Sequence, residues 1–202
     1  GFIVAVLFIG HVLDHVPVDA LLVVGVLILL ALVGCAFLVP DVPPRASVAT
    51  PVAFWPTVCT PRVRLLLTMC FLMSATHGVL YFFYSLYLVQ HGYSPSEVGW
   101  MWTVGVVAEI VVFMGMPRLW RHVVPRTVLA VCLLAAALRF VLIGVAVDSF
   151  ALLLFAQVLH GLTFGAWHAA AIALVDAWFG EGLKARGQSL YGSVSFGAGN
   201  VV

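Results

Sequence analysis

The stretch 127–147, TVLAVCLLAAALRFVLIGVAV, decides the fold. As a helix rising ~1.5 Å per residue it spans about 30 Å, the thickness of a bilayer's hydrocarbon core. Arg139 is its one charge, and its apolar residues surround the helix without the period-two alternation of a membrane barrel strand. Similar runs flank it at Pro17 to Val39, Leu65 to Val89, Ser96 to Met116 and Phe150 to Trp178. A shorter apolar run, Gly1 to Leu13, precedes them and another opens near Gln188. The expectation is an all-α, polytopic membrane helix bundle.

Composition agrees. Of 202 residues, 64% are hydrophobic and 8% are charged, and the mean hydropathy is +1.18. A soluble domain carries about 25% charged residues to cover its surface, so the solvent of this chain is lipid. A net charge of +1 with nine Lys and Arg leaves no basic stripe for a nucleic acid, which is excluded as a partner. Cys35, Cys59, Cys70 and Cys132 have no paired spacing and read as small apolar residues. No metal and no cofactor is expected. The chain opens at Gly1 inside one apolar run and stops at Val202 inside another, with no signal-peptide pattern. It is therefore expected to be a fragment of a longer chain.

The connections are short except for Pro40 to Arg64, which holds six of the ten prolines and reads as a semi-rigid linker between two bundles. The domain expectation is thus 1–40 as the end of a first half, 41–64 as a central loop and 65–202 as a second half. Ser94, Pro95 and Glu97 spell a capping box, and Asp148 is placed to cap the span that begins at Phe150. Alternate loops hold Arg45, Arg62 and Arg64, then Arg118, Arg121 and Arg126, then Lys184 and Arg186, while the loops between them hold no basic residue. By the positive-inside rule that face is cytoplasmic.

Two charges, Glu109 and Arg139, and three histidines, His77, His160 and His168, remain inside the spans. Counting ~1.5 Å per residue from the cytoplasmic ends puts His77 and Arg139 roughly 18 Å deep, His168 about 15 Å and Glu109 about 12 Å. A charge at that depth is costly, so each needs a partner or a water-filled cavity. Glu109 either handles protons or substrate, or forms a structural pair with Arg139; Arg139 either pairs with Glu109 or meets an anionic substrate. His77, Tyr81, Tyr84 and Ser85 share one helix face, available for hydrogen bonding between helices or for lining a cavity. Gln157, His160, Phe164, Trp167 and His168 form a second stripe, with the histidines too far apart for one metal ion. Gly161 and Gly165, and the small residues Ser189, Gly192, Ser193 and Gly197, point to close helix packing.

The strings SATHGVLY (Ser74 to Tyr81), GWMWTVGVVAEI (Gly99 to Ile110), LRF around Arg139 and LHGLTFGAWHAAA (Leu159 to Ala171) resemble the phenylpropionate permease-like branch of the major facilitator superfamily. The resemblance implies that the spans are helices five to eleven of twelve, so that most of an N-terminal helical half is missing. It further implies that the proline-rich segment is the central cytoplasmic loop, and that the His77 and His160/His168 stripes line a central cavity. Only a degenerate counterpart of the superfamily's conserved loop is present, around Arg118 to Arg126.

The functional expectation is a secondary active permease in a bacterial inner membrane. It would perform proton-coupled symport of a small organic solute, an aromatic carboxylate by resemblance. Glu109, Arg139 and His77 are expected to couple protons; His160, His168, Tyr81, Tyr84, Gln157 and Trp167 are expected to bind substrate. The competing readings are a non-transporting membrane sensor on the same fold and a membrane-embedded enzyme using the histidines. The second would need a nucleophile with its base or metal-ligand spacing, and the sequence displays neither.

Overall fold

The computed structural model describes residues 18–38 and 54–199. The run Gly1 to Leu13 and the linker segment with Arg45 lie outside the described residues. The chain divides into two compact units, Gly1–Val48 and Ala49–Val202. The first contains α1, Val18–Ala36, an apolar helix.

In the second unit a short helix α2, Phe54–Val58, precedes three long ones: α3, Pro61–Gln90, α4, Pro95–Leu119, and α5, Pro125–Val145. Then α6, Phe150–His160, passes through a π-helical turn, Gly161–Ala166, into α7, Trp167–Phe179. The helix α8, Lys184–Gly192, ends in a second π-helical turn, Ser193–Ala198. Four helical segments are long and apolar enough to cross a membrane: Pro61–Gln90, Pro95–Leu119, Pro125–Val145 and Phe150–Phe179. Among the described residues there is no strand. The chain is an all-α membrane helix bundle, as its runs predict.

Prolines set the starts. Pro61, Pro95 and Pro125 each occupy the first turn of a helix, where a missing N–H leaves nothing unsatisfied. The capping box of α4 is present: Ser94 Oγ accepts from the Glu97 amide at 3.3 Å, and the Ser94 amide donates to Glu97 Oε2 at 2.8 Å. The other expected cap is not made, because Ser149 is the capping position of α6 and its first turn receives no side-chain bond. Asp148 lies one residue too early to reach it. The proline-rich linker is also helical at its far end, since Pro56 falls in the first turn of α2, where proline is tolerated. The α2 helix lies against the end of α7, with Phe54 5.8 Å from Phe179 between ring centroids and the Arg186 guanidinium 4.4 Å over the Phe54 ring. Arg62 stacks over Trp178 at 5.5 Å, so basic side chains from separate loops meet at one end of the bundle. There the Glu181 carboxylate, 2.6 Å from Lys184 Nζ, holds that ammonium's pKa above its ordinary value.

Side chains pack into two apolar clusters stacked along the helices. One gathers Leu66, Cys70, Val128, Cys132, Trp167 and Phe179. The other gathers Leu80, Leu88, Met101, Ile143 and Leu153. On α3, α4, α5 and α6 the residues between the clusters are His77, Gly105 and Glu109, Arg139, and Gln157 and His160. The polar groups therefore form a layer between two dry blocks.

Glycine makes the closest approach. A Cβ on Gly161 would lie 2.7 Å from the Ala108 carbonyl oxygen, and one on Gly165 3.2 Å from Glu109 Cγ. The GxxxG pair thus packs the π-helical turn directly on the α4 backbone. The small residues near the C-terminus behave differently, since Gly192 and Gly197 have open space around them. Close packing there falls to Gly187, against Phe179 and Val175, and to Gly199, against Phe71 and Ser74.

The loop pattern carries a labelling prediction for the full-length protein cleared of native cysteines. A cysteine at Arg121 or Lys184 should react from outside only with a membrane-permeant thiol reagent, and one at Glu97 with both permeant and impermeant reagents. Outside labelling at Lys184 would reverse the orientation.

Candidate functional site

The site begins where each helix breaks its apolar run. On α3, His77 is buried, and its Nδ1 lies 2.8 Å from the Met73 carbonyl oxygen. A carbonyl only accepts, so Nδ1 bears the proton and Nε2 carries the lone pair of the neutral ring. One helical turn on, Tyr81 lies between His77, Trp102 and His160, with centroid distances of 6.1, 5.7 and 6.3 Å. Tyr84 is buried and its hydroxyl meets Met101 Sδ at 3.4 Å, while Ser85 accepts from Trp102 Nε1 at 3.0 Å. The stripe faces α4 and, through His77 and Phe140 at 5.6 Å, α5.

Glu109 and Arg139, on adjacent spans, are natural candidates for a pair, yet they do not meet. Glu109 Oε2 lies 3.9 Å from His160 Nε2, with the carboxylate partly exposed and the imidazole buried. Arg139 is entirely buried, and Nη2 makes a long 3.4 Å bond to Gln157 Oε1. Its Nε and Nη1 have no hydrogen-bond partner among the described residues, nor do Gln157 Nε2, His160 Nδ1 and His77 Nε2. Adjacency in sequence order fixes which helices neighbour each other but not the rotation of each about its axis; here α6 inserts Gln157 and His160 between the two charges. A buried pair broken by removal of one partner costs roughly 3 to 5 kcal/mol. A guanidinium left this poorly satisfied is an expense that packing alone does not explain.

The π-helical turn reshapes the second stripe. His160, Phe164 and His168 stack as a ladder, with centroid separations of 5.4 and 6.4 Å and interplanar angles of 24° and 13°. At its far end His168 Nδ1 lies 2.9 Å from the Tyr191 hydroxyl, and Phe196 closes on the His168 ring at 5.6 Å. Trp167 is not on the ladder; it is buried in the apolar cluster with Cys70 and Cys132. A π-helical turn accommodates an extra residue, about 100° of rotation, so a periodicity of 3.6 carried through it misplaces the side chains beyond the turn. Gln157 faces Arg139 rather than the ladder.

Sequence reasoning passed over Gly105, where a Cβ would lie 3.2 Å from Gln157 Oε1 and 3.3 Å from His160 Cδ2. Its absence leaves room for both side chains beside α4. Trp102, whose ring meets Tyr81 and Tyr84, was likewise not singled out. The signal for both was their spacing, since Gly105 and Trp102 stand four and seven residues before Glu109 on nearly the same helix face.

The layer thus offers a carboxylate facing a buried imidazole, a guanidinium with free donors, and aromatic rings on which a flat apolar group can rest. Among curated proteins, a "Probable 3-phenylpropionic acid transporter" from Escherichia coli (strain K12) is 31% identical over 189 residues, which is 91% of this chain and 48% of that protein. The chain spans about half the length of that relative. No solved structure matches it. The MFS_1 like family matches residues 1–202, the whole sequence. With its four membrane-competent helices packed around a polar layer, the chain belongs to the MFS_1 like family of the major facilitator superfamily.

Proposed function

We propose that the protein containing this chain is a secondary transporter that carries a small aromatic carboxylate inward together with protons, in a bacterial inner membrane. The observation that carries the reading is Glu109, a partly exposed carboxylate within a membrane span, set 3.9 Å from buried His160. Intramembrane carboxylates are costly and recur as proton relays in transporters. The E. coli relative's name supplies the substrate class. In alternating access, two helical bundles rock about a midplane site.

Glu109 carries the coupling proton, with His160 as its immediate partner. Arg139 supplies the fixed positive charge of the same layer, and His77 a second imidazole. Tyr81, His160 and His168, with Phe164, receive the solute's ring. Tyr84 and Trp167 are buried and pack behind the layer, and Gln157 meets Arg139.

The test is uptake by the full-length protein reconstituted in vesicles under an imposed proton gradient, acid outside. Radiolabelled 3-phenylpropionate should accumulate, and a protonophore should abolish the accumulation. Folded protein that passes no aromatic acid in either direction removes the transport reading and leaves the sensor.

A further inference from the structure

We infer that Arg139 and Gln157, with the room left by Gly105, form a carboxylate-binding subsite separate from the Glu109–His160 pair. The inference rests on the transport reading above and deepens it: the subsite takes the acid group of the solute, and Glu109 is left for the proton.

Arg139 has no exposed surface, and two of its three nitrogens, Nε and Nη1, have no partner among the described residues. Gln157 is buried to the same degree, and its Nε2, close to the Tyr84 phenol, makes no hydrogen bond among the described residues. These are all N–H donors, so the group they lack is an acceptor, and a guanidinium fork matches a carboxylate best. The acids of residues 54–199 do not supply it. Glu109 turns to His160, Glu97 is spent on the α4 cap, and Glu181 is bound to Lys184. Asp176 takes the Gln188 amide, and Asp148 lies in the turn between α5 and α6.

Gln157 Oε1 sits where an incoming carboxylate oxygen would sit, but as a neutral acceptor 3.4 Å from Nη2. Binding replaces that long bond with a charge-assisted one, and the displaced amide keeps Nε2 to donate to the second oxygen. Gly105 makes the exchange feasible, because a methyl group there would come within 3.2 Å of the amide oxygen. His77 Nδ1 is committed to the Met73 carbonyl and does not donate to the subsite. An aromatic body attached to the acid group has Tyr81 and Trp102 beside it.

Formate is the minimal probe, with formamide as its uncharged control. Thermal unfolding of the full-length protein in detergent is followed with each, and with phenyl-substituted acetate and propionate beside their amides. Wild-type protein should be stabilised by the carboxylates and not by the amides. Arg139→Gln should weaken every carboxylate response at least tenfold. Gln157→Glu builds the carboxylate into the chain, so its unfolding midpoint should rise without additive and its response to formate should vanish; this variant carries the test alone if Arg139→Gln does not fold. Formate binding that is lost in the variants, without any response to the aromatic acids, keeps the subsite and overturns the aromatic-acid reading. A wild-type protein indifferent to formate and the aromatic acids alike, or a Gln157→Glu protein that binds formate as tightly as wild type, overturns the subsite.

Discussion

Glu109→Gln in the full-length protein should abolish uphill accumulation while leaving exchange of substrate across equal concentrations running. The amide has the shape of the protonated carboxyl but no proton to release, so the two conformations still interconvert with substrate bound and the gradient no longer drives them. Geometry sharpens the expectation. If Glu109 neutralised Arg139, the substitution would abandon a buried guanidinium at a cost of roughly 3 to 5 kcal/mol and the protein would fold poorly. Glu109 instead faces His160 and is partly exposed, and Arg139 meets Gln157. The variant should therefore fold, with an accumulation ratio that falls to unity in a counterflow-competent protein. Measuring both quantities in the same vesicles decides the matter: accumulation above unity in Glu109→Gln removes Glu109 from the proton path, and loss of folding marks it as structural.

A single methyl group at Gly161 is the second large effect expected. A Cβ there would stand 2.7 Å from the Ala108 carbonyl oxygen and 2.8 Å from its carbon, both backbone atoms of α4. No side-chain rotation relieves such a clash, so α4 and the π-helical turn must separate. Overpacking of this kind costs roughly 1 to 3 kcal/mol even where side chains can shift, and backbone against backbone belongs at or above the top of that range. Gly161→Ala should lower the unfolding midpoint and the yield of monodisperse protein, and Gly161→Leu should abolish folding. Gly144→Ala is the control on α5, with nothing within 4 Å of its Cβ position. A neutral to slightly favourable effect is expected there, because alanine exceeds glycine in helix propensity by about 1 kcal/mol. Equal stabilities for Gly161→Ala and Gly144→Ala would mean that the α4 contact is looser than the structure has it.

The helices were legible because a lipid solvent leaves the backbone little choice. Every N–H and C=O in a spanning segment has to be bonded internally, so twenty apolar residues such as those around Arg139 admit one secondary structure. Helix starts were legible where the signal is local: Ser94, Pro95 and Glu97 satisfy one another within a single turn. Asp148 failed as a cap for the same reason, since a shift of one residue in the turn before Phe150 removes it from reach. The linker's last prolines became the first turns of α2 and α3, because proline excludes a helix interior but suits its first turn.

Sequence by itself determined the class of fold, the helix-forming runs, the alternation of basic loops and the identity of the polar residues in the membrane, all properties of hydropathy and chain length. Tertiary structure alone decided how those polar residues are partnered. Which side of a helix faces which neighbour depends on its rotation, and the π-helical turn Gly161–Ala166 alters that rotation midway along one span. Trp167 therefore went to the core, Phe164 kept its place between the two histidines, and Gln157 met Arg139. Charge sign left open whether the acid and the base would meet. The close approach that glycine at 161 and 165 permits to Ala108 and Glu109 placed His160 opposite the acid, and the base met Gln157.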